Sequence, residues 1–151
     1  MRIYLIGSLR NPQIPIIAET LRNAGHDVFD DWHSAGKDAD DNLRDYEKAR
    51  GRTFEEAIKE SLAMETIFNF DYQHLRESDA AVLVMPAGKS GFLELGWKIG
   101  RGYPGYILLD DPERWDVMFK FATGVYSQLS DLLKILEDEQ AYWGEDEDYS
   151  Y

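Results

Sequence analysis

Apolar residues along this chain follow two rhythms. Short apolar-centred blocks at Arg2–Gly7, His26–Asp30, Ala80–Met85 and Tyr103–Leu109, and a briefer one at Gly124–Tyr126, predict strands, the first mostly buried and the third fully buried. Between the blocks, apolar positions recur at three- and four-residue spacing and predict helices. The first helix opens at Asn11-Pro12, a cap followed by the residue suited to the first helical position, and carries Ile14, Ile17, Ala18 and Leu21 on one face to Ala24, where Gly25 stops it. Thr53 with Glu56 spells a capping box, from which one long helix, Phe54–Glu77, is expected with Ala57, Leu62, Met64, Ile67, Phe68, Tyr72 and Leu75 as its stripe. A helix opens near Ser90–Gly91 and ends at Gly100–Gly102, a short one covers Arg114–Phe121, and a last one, Ser127–Leu136, turns Leu129, Leu132, Leu133 and Leu136 inward. Ser34–Asp45 is polar and aspartate-rich and reads as a loop or short helix that Tyr46–Gly51 continues.

Strands alternating with helices predict an α/β three-layer sandwich: a flavodoxin-like, parallel, five-stranded sheet with helices on both faces. The 151 residues suit one domain, taken as 1–137 with an acidic insertion at about 34–52 and an acidic tail at 138–151, read as a solvated, partly disordered end. The formal charge of −13 argues against binding nucleic-acid backbones. No apolar run approaches the ~20 residues of a membrane span, and the start, MRIYLIGSLR, turns polar too soon for a signal peptide. The absence of cysteine excludes thiolate metal sites and agrees with a cytoplasmic protein.

In a parallel sheet, ligands collect at the carboxyl ends of the strands. The residues placed at those ends, or on helices leading to them, are Tyr4 with Gly7-Ser8-Leu9-Arg10, Asp31-Trp32, Asp71, and Gly88-Lys89-Ser90-Gly91 with Glu94. Taken singly, each has a structural reading: Tyr4 as core, Asp31 as a loop cap, Trp32 as packing, Asp71 as a solvated helix face, Ser90 as an N-cap, and Glu94 as an acid favoured by the first helical turn. No ordered spacing of histidine with carboxylates suggests a metal site, and His26, His33 and His74 read as solvent or loop residues.

Together the segments MRIYLIGSLR, FNFDYQHLRESDAAVLVMP and GFLELGWKIGRGYPGYILL resemble the nucleoside 2-deoxyribosyltransferase family, which includes nucleoside 5′-monophosphate N-glycosidases. The resemblance runs from Arg2 to about Leu136 and is weakest through Ser34–Arg52. It implies that Glu94 is the nucleophile at the anomeric carbon, that Tyr4 orients it, and that Asp71 lies near the base and its leaving nitrogen. The transferases carry an aspartate for the sugar hydroxyls where this chain has Gly88, and the hydrolases carry a serine there, for which Ser90 is an offset substitute. Gly7-Ser8-Leu9-Arg10 resembles the phosphate loop of the monophosphate hydrolases, with Lys89 and Ser90 adding donors and charge. Arg114–Phe119 resembles a segment that reaches into a neighbour's pocket, with Asp116 and Met118 contributing, so that a homodimer or larger assembly with shared sites is implied.

The expected chemistry is displacement at C1′ of a nucleoside or nucleotide through a covalent glycosyl-enzyme, with no metal and no cofactor. The helix N-terminus and Tyr4 are expected to keep Glu94 ionised, and Trp32 to stack on the base. Alternatives are a transferase acting on unphosphorylated deoxynucleosides and, from a different class, a nucleotide-sequestering protein without turnover, which Gly88 favours. A phosphoacceptor signalling module of the same fold does not fit, because Gly7-Ser8 and Pro86 stand where it needs acids.

Overall fold

The computed structural model describes residues 1–146. Its elements are β1 (Arg2–Ile6), α1 (Ile14–Asn23), β2 (Asp27–Phe29), α2 (Ala39–Ala49), α3 (Phe54–Glu60), α4 (Leu62–Glu77), β3 (Ala80–Val84), α5 (Lys89–Gly100), β4 (Gly105–Leu108), β5 (Gly124–Tyr126) and α6 (Leu129–Asp146), with 3-10 turns at Asp31–Ala35 and Val117–Phe121. The five strands are all parallel in the order β2-β1-β3-β4-β5. This is the flavodoxin-like order expected from the sequence, and its topological switch lies between the carboxyl ends of β1 and β3.

Alternation along the strands divides the core. Ile3, Leu5, Val82, Val84 and Tyr106 face one way and meet Ile14, Ala18 and Leu21 of α1 and Leu132 and Leu136 of α6. Tyr4, Ile6, Ala81, Leu83 and Ile107 face the other way and meet Leu75 of α4 and Leu95 of α5. The period of two in a strand thus sends Tyr4 toward the α4–α5 layer. On α5 the buried positions are Gly91, Leu95 and Lys98, one stripe at helical spacing. Gly91 lets α5 close on β1: a Cβ there would lie 3.0 Å from Ile6 Cγ2.

Several boundaries differ from those expected. α1 starts at Ile14 with Gln13 at its N-cap; Asn11 instead accepts the Gln13 N–H in a turn (2.9 Å), and Pro15 is the early-turn proline. The long helix is broken at Ser61, whose extended backbone ends α3 and whose hydroxyl caps α4 through the Met64 N–H (3.1 Å). Buried Glu47 of α2 reaches this break, accepting from the Ser61 hydroxyl and from Arg52, and so ties the acidic insertion to the joint. Of the two readings of the acidic insertion, loop or short helix, the helix is found, as α2. Little of the stripe is buried: Ala57 and Leu75 are, whereas Leu62, Ile67 and Phe68 are exposed. The segment Arg114–Phe121 forms only the turn Val117–Phe121. α6 runs on to Asp146, so residues 138–146 are helical; the end of the acidic stretch, 147–151, lies outside the described residues. No helix among the described residues is long and apolar enough to cross a membrane.

Candidate active site

Three titratable side chains meet on the α4–α5 face of β1. Tyr4 comes from the strand, Asp71 from α4 and Glu94 from α5, and each perturbs another's ionisation. Tyr4 is buried, with only 1% exposed, and stacks on Phe29 of β2 at 5.1 Å between ring centroids. Burial, then the charges of Glu94 and Asp71, push its phenol well above its ordinary range, so its hydroxyl keeps its proton and donates. Burial likewise raises the Glu94 carboxyl to about 7; a hydrogen bond from Tyr4 works against this, and the charge of Asp71 adds to it. Asp71 is also raised by burial, while the nearby His74 lowers it. The result is a tyrosine donor beside two carboxyls whose ionisation burial opposes.

This corrects one expectation. α5 begins at Lys89 with Gly88 as its N-cap, so Glu94 stands in the second helical turn, and no acid occupies the first. The macrodipole fades beyond the first turn. Burial therefore governs Glu94, and its charged form is disfavoured rather than held. Ser90 does not cap the helix; it and Lys89 are exposed near its N-terminus. Gly88 is exposed and extended, and a Cβ built on it would touch nothing within 4 Å.

The loop after β1 is a preformed turn. Ser8 Oγ accepts the Arg10 N–H at 3.1 Å, and the Ser8 carbonyl accepts the Asn11 N–H at 3.0 Å. Gly7 leaves room for Ile14, since a Cβ there would come within 2.5 Å of Ile14 Cδ1 and push that side chain aside. Leu9 is half-buried and Arg10 is exposed. The Arg10 guanidinium faces Asp41 of α2 at 3.8 Å. His33 donates from Nε2 to the Asn11 carbonyl at 2.9 Å and pins this loop to the turn after β2.

Trp32 has a partner already: its indole N–H donates to the Leu5 carbonyl at 2.8 Å, and the half-buried ring packs against both core faces. Asp31 is exposed and lines a groove of about 380 Å³ along β2 with His74 and Glu77, away from Glu94. Asp116 caps the turn Val117–Phe121 through the Met118 N–H at 2.9 Å. Together with Met118 it lines the larger cavity, about 710 Å³ and mostly apolar, against the Phe92–Leu95–Ile99 flank of α5. Glu94 is on the opposite flank, so within one chain these two residues do not join it.

The histidines are not idle loop residues. His26 is buried beside the N-terminal amine, and burial lowers its ionisation. His74 stacks on Phe29 at 4.0 Å and uses Nδ1 on the Phe70 carbonyl. Sequence reasoning passed over three residues at the site: His74, one turn from Asp71; Asp41, opposite Arg10; and Lys98, wholly buried beneath Glu94. Lys98 was detectable, because it continues the Gly91–Leu95 stripe. No cluster of three or more metal-ligating side chains occurs among the described residues.

No family model and no curated protein matches the sequence. Solved structures do match the fold. A 2-deoxyribosyltransferase from the psychrotolerant bacterium Bacillus psychrosaccharolyticus superimposes with a TM-score of 0.58 at 18% identity, over 88% of this chain and 90% of that one. A conserved protein from Enterococcus faecalis V583 gives 0.63 at 16% identity, over 92% and 98%. The CMP N-glycosidase BcmB of Clostridium botulinum gives 0.51 at 15% identity, over 91% and 99%. The chain therefore has the fold used by a deoxyribosyltransferase and by a nucleotide N-glycosidase, over nearly the whole length of each.

Proposed function

We propose that this protein is an enzyme of the nucleoside 2-deoxyribosyltransferase family that cleaves or transfers the N-glycosidic bond of a (deoxy)nucleoside 5′-monophosphate. The observation that carries the reading is the meeting of Tyr4, Asp71 and Glu94 on one face of β1, in a fold shared with two enzymes of that chemistry. Ionised Glu94 attacks C1′ as the C1′–N bond breaks, and the bond's electrons leave with the base. Protonated Asp71 gives its proton to the departing nitrogen. Water then attacks C1′, returns a proton to Asp71 and frees Glu94; a second base in place of water makes the reaction a transfer. The cycle needs the proton on Asp71 and the charge on Glu94; burial raises both carboxyls, and the Tyr4 hydroxyl, by donating to Glu94, favours its ionised form. The Tyr4 hydroxyl aims the nucleophile. Ser8, Arg10 and the N-terminus of α5 receive the phosphate.

A second reading, an unphosphorylated deoxynucleoside as donor, is favoured by Asp41. Its carboxylate stands against Arg10 and opposes a phosphate at that loop. Chromatography of purified protein with ribo- and deoxyribonucleoside 5′-monophosphates and the matching nucleosides, with and without a second free base, separates the readings. Free base from monophosphates alone supports the first. Product from nucleosides only when a second base is present supports the other. Glu94→Ala abolishes product while leaving the fold intact; normal turnover by that variant refutes the assignment.

A further inference from the structure

Lys98 is wholly buried, at 0% exposure. Among the described residues no carboxylate lies within ion-pair distance of it. Its ammonium is instead spent on the end of α4: Nζ donates to the carbonyls of Leu75 (2.9 Å) and Ser78, with Arg76 at 3.5 Å. The Tyr103 ring covers it from the other side, 3.9 Å from Nζ to the centroid. The end of α4 carries the negative end of its dipole, and the Leu75 carbonyl there also accepts from the Ser78 hydroxyl at 2.7 Å, so the buried cation is a charge match added to a cap the chain already supplies. A buried ammonium with partners only on a neighbouring helix fixes that helix firmly, because any slippage leaves a charge unsolvated.

The register gives this clamp a consequence. Asp71 lies four residues before Leu75 on α4, and Glu94 lies four residues before Lys98 on α5. Both helices run antiparallel to the strands, so each carboxyl sits about one turn, ~6 Å, above the clamp on its own helix. Tyr72 and Trp97 meet edge to face at 5.3 Å, a second contact between the two helices. Resting on the reading of Glu94 and Asp71 as nucleophile and acid, we infer that Lys98 is a positioning residue: its hold on the carboxyl end of α4 sets the separation of the two reacting carboxyls.

The test compares the full-length wild type with Lys98→Met, which keeps the stem without the donors, and with Lys98→Arg, which keeps the charge but not the compact head. Two readouts are taken: steady-state cleavage, and the titration midpoint of Glu94 by carbon-13 carboxyl resonance. The Met variant is expected to lose about 100-fold in kcat with KM nearly unchanged, as an ångström-scale misplacement does, and to shift the Glu94 midpoint. The Arg variant is expected to lose roughly tenfold in the same pattern. A folded Met variant with wild-type kcat and an unmoved Glu94 midpoint overturns the inference. If the Met variant does not fold, the Arg variant decides by the same two readouts. If wild type shows no turnover at all, the enzymatic reading fails on its own, and the Glu94 midpoint still decides whether Lys98 sets the pair.

Discussion

Glu94→Gln should make the protein more stable at alkaline pH while destroying its activity. The side chain is raised to about 7 from an ordinary 4.5, chiefly by burial. The folded protein therefore holds a proton on Glu94 that the unfolded chain has released, throughout the interval between those values. Wherever the native state binds more protons, stability falls as pH rises. The stability from protonated Glu94 is complete below about pH 4.5, declines through the window and is gone above about pH 7. Two and a half units correspond to about 3 kcal/mol at most. Glutamine keeps the volume and can still accept from Tyr4, but has no charge to desolvate. Urea unfolding of both proteins from pH 4 to 8.5 is the assay. The two should be equal near pH 4, and the variant should lead by about 3 kcal/mol at pH 8, roughly 6 to 12 °C in Tm for a chain of this size. A constant difference across the range refutes the argument, because it would mean that Glu94 ionises as freely in the fold as out of it.

Other consequences are simpler. Arg10→Ala should lower kcat/KM for a 5′-monophosphate by about 10- to 100-fold, the worth of a charged hydrogen bond, and leave the matching nucleoside nearly untouched; equal losses would remove Arg10 from the phosphate site. Asp41→Asn should raise kcat/KM for the monophosphate by up to about fivefold at low salt, with the gain fading as salt rises, since the Asp41–Arg10 pair is exposed. Trp32→Phe should cost about 1 kcal/mol in thermal unfolding through loss of the bond to the Leu5 carbonyl. An unchanged Tm would show that the indole is not held there.

The strands and their order were legible because each apolar block has nowhere to go but a covered sheet. The register of α5 was not. Its N-cap, Gly88, makes no side-chain hydrogen bond, and Ser90 offers a false cap two residues later. That small shift moved Glu94 out of the first turn and reversed the argument about its charge. The break at Ser61 was hidden for a different reason. Met64 rather than a glutamate stands three residues on, so no capping box is spelled, and the group that holds the break, Glu47, is distant in sequence. The convergence of Tyr4, Asp71 and Glu94 came from the resemblance; residue types alone left each with an ordinary structural explanation. Lys98 falls on a stripe position, but a lysine in a buried stripe makes sense only once the carbonyls it meets are known.

The two flanks of α5 lead to the last prediction. Glu94 faces α4 and β1, whereas Asp116 and Met118 line the apolar cavity against Phe92, Leu95 and Ile99. A helix with its side chains is about 10–12 Å across, so the second pair cannot reach a substrate held at Glu94 of the same chain. If Asp116 and Met118 touch substrate, they do so in another copy. The surface around them suits such a contact: Trp115 is 87% exposed, Val117 77%, Met118 63% and Phe121 74%, an apolar run that one chain leaves open to water. Complementation tests this directly. Asp116→Asn keeps the cap on its turn, and joined with Met118→Ala it removes only the reaching groups. Mixed in equal amounts with Glu94→Ala chains, these chains should regain about a quarter of wild-type activity, because half the twofold dimers are mixed and each of those has one intact site. Activity no higher than the mean of the two parents, from a mixture shown to exchange subunits, would confine the site to one chain and leave the exposed turn without a catalytic part.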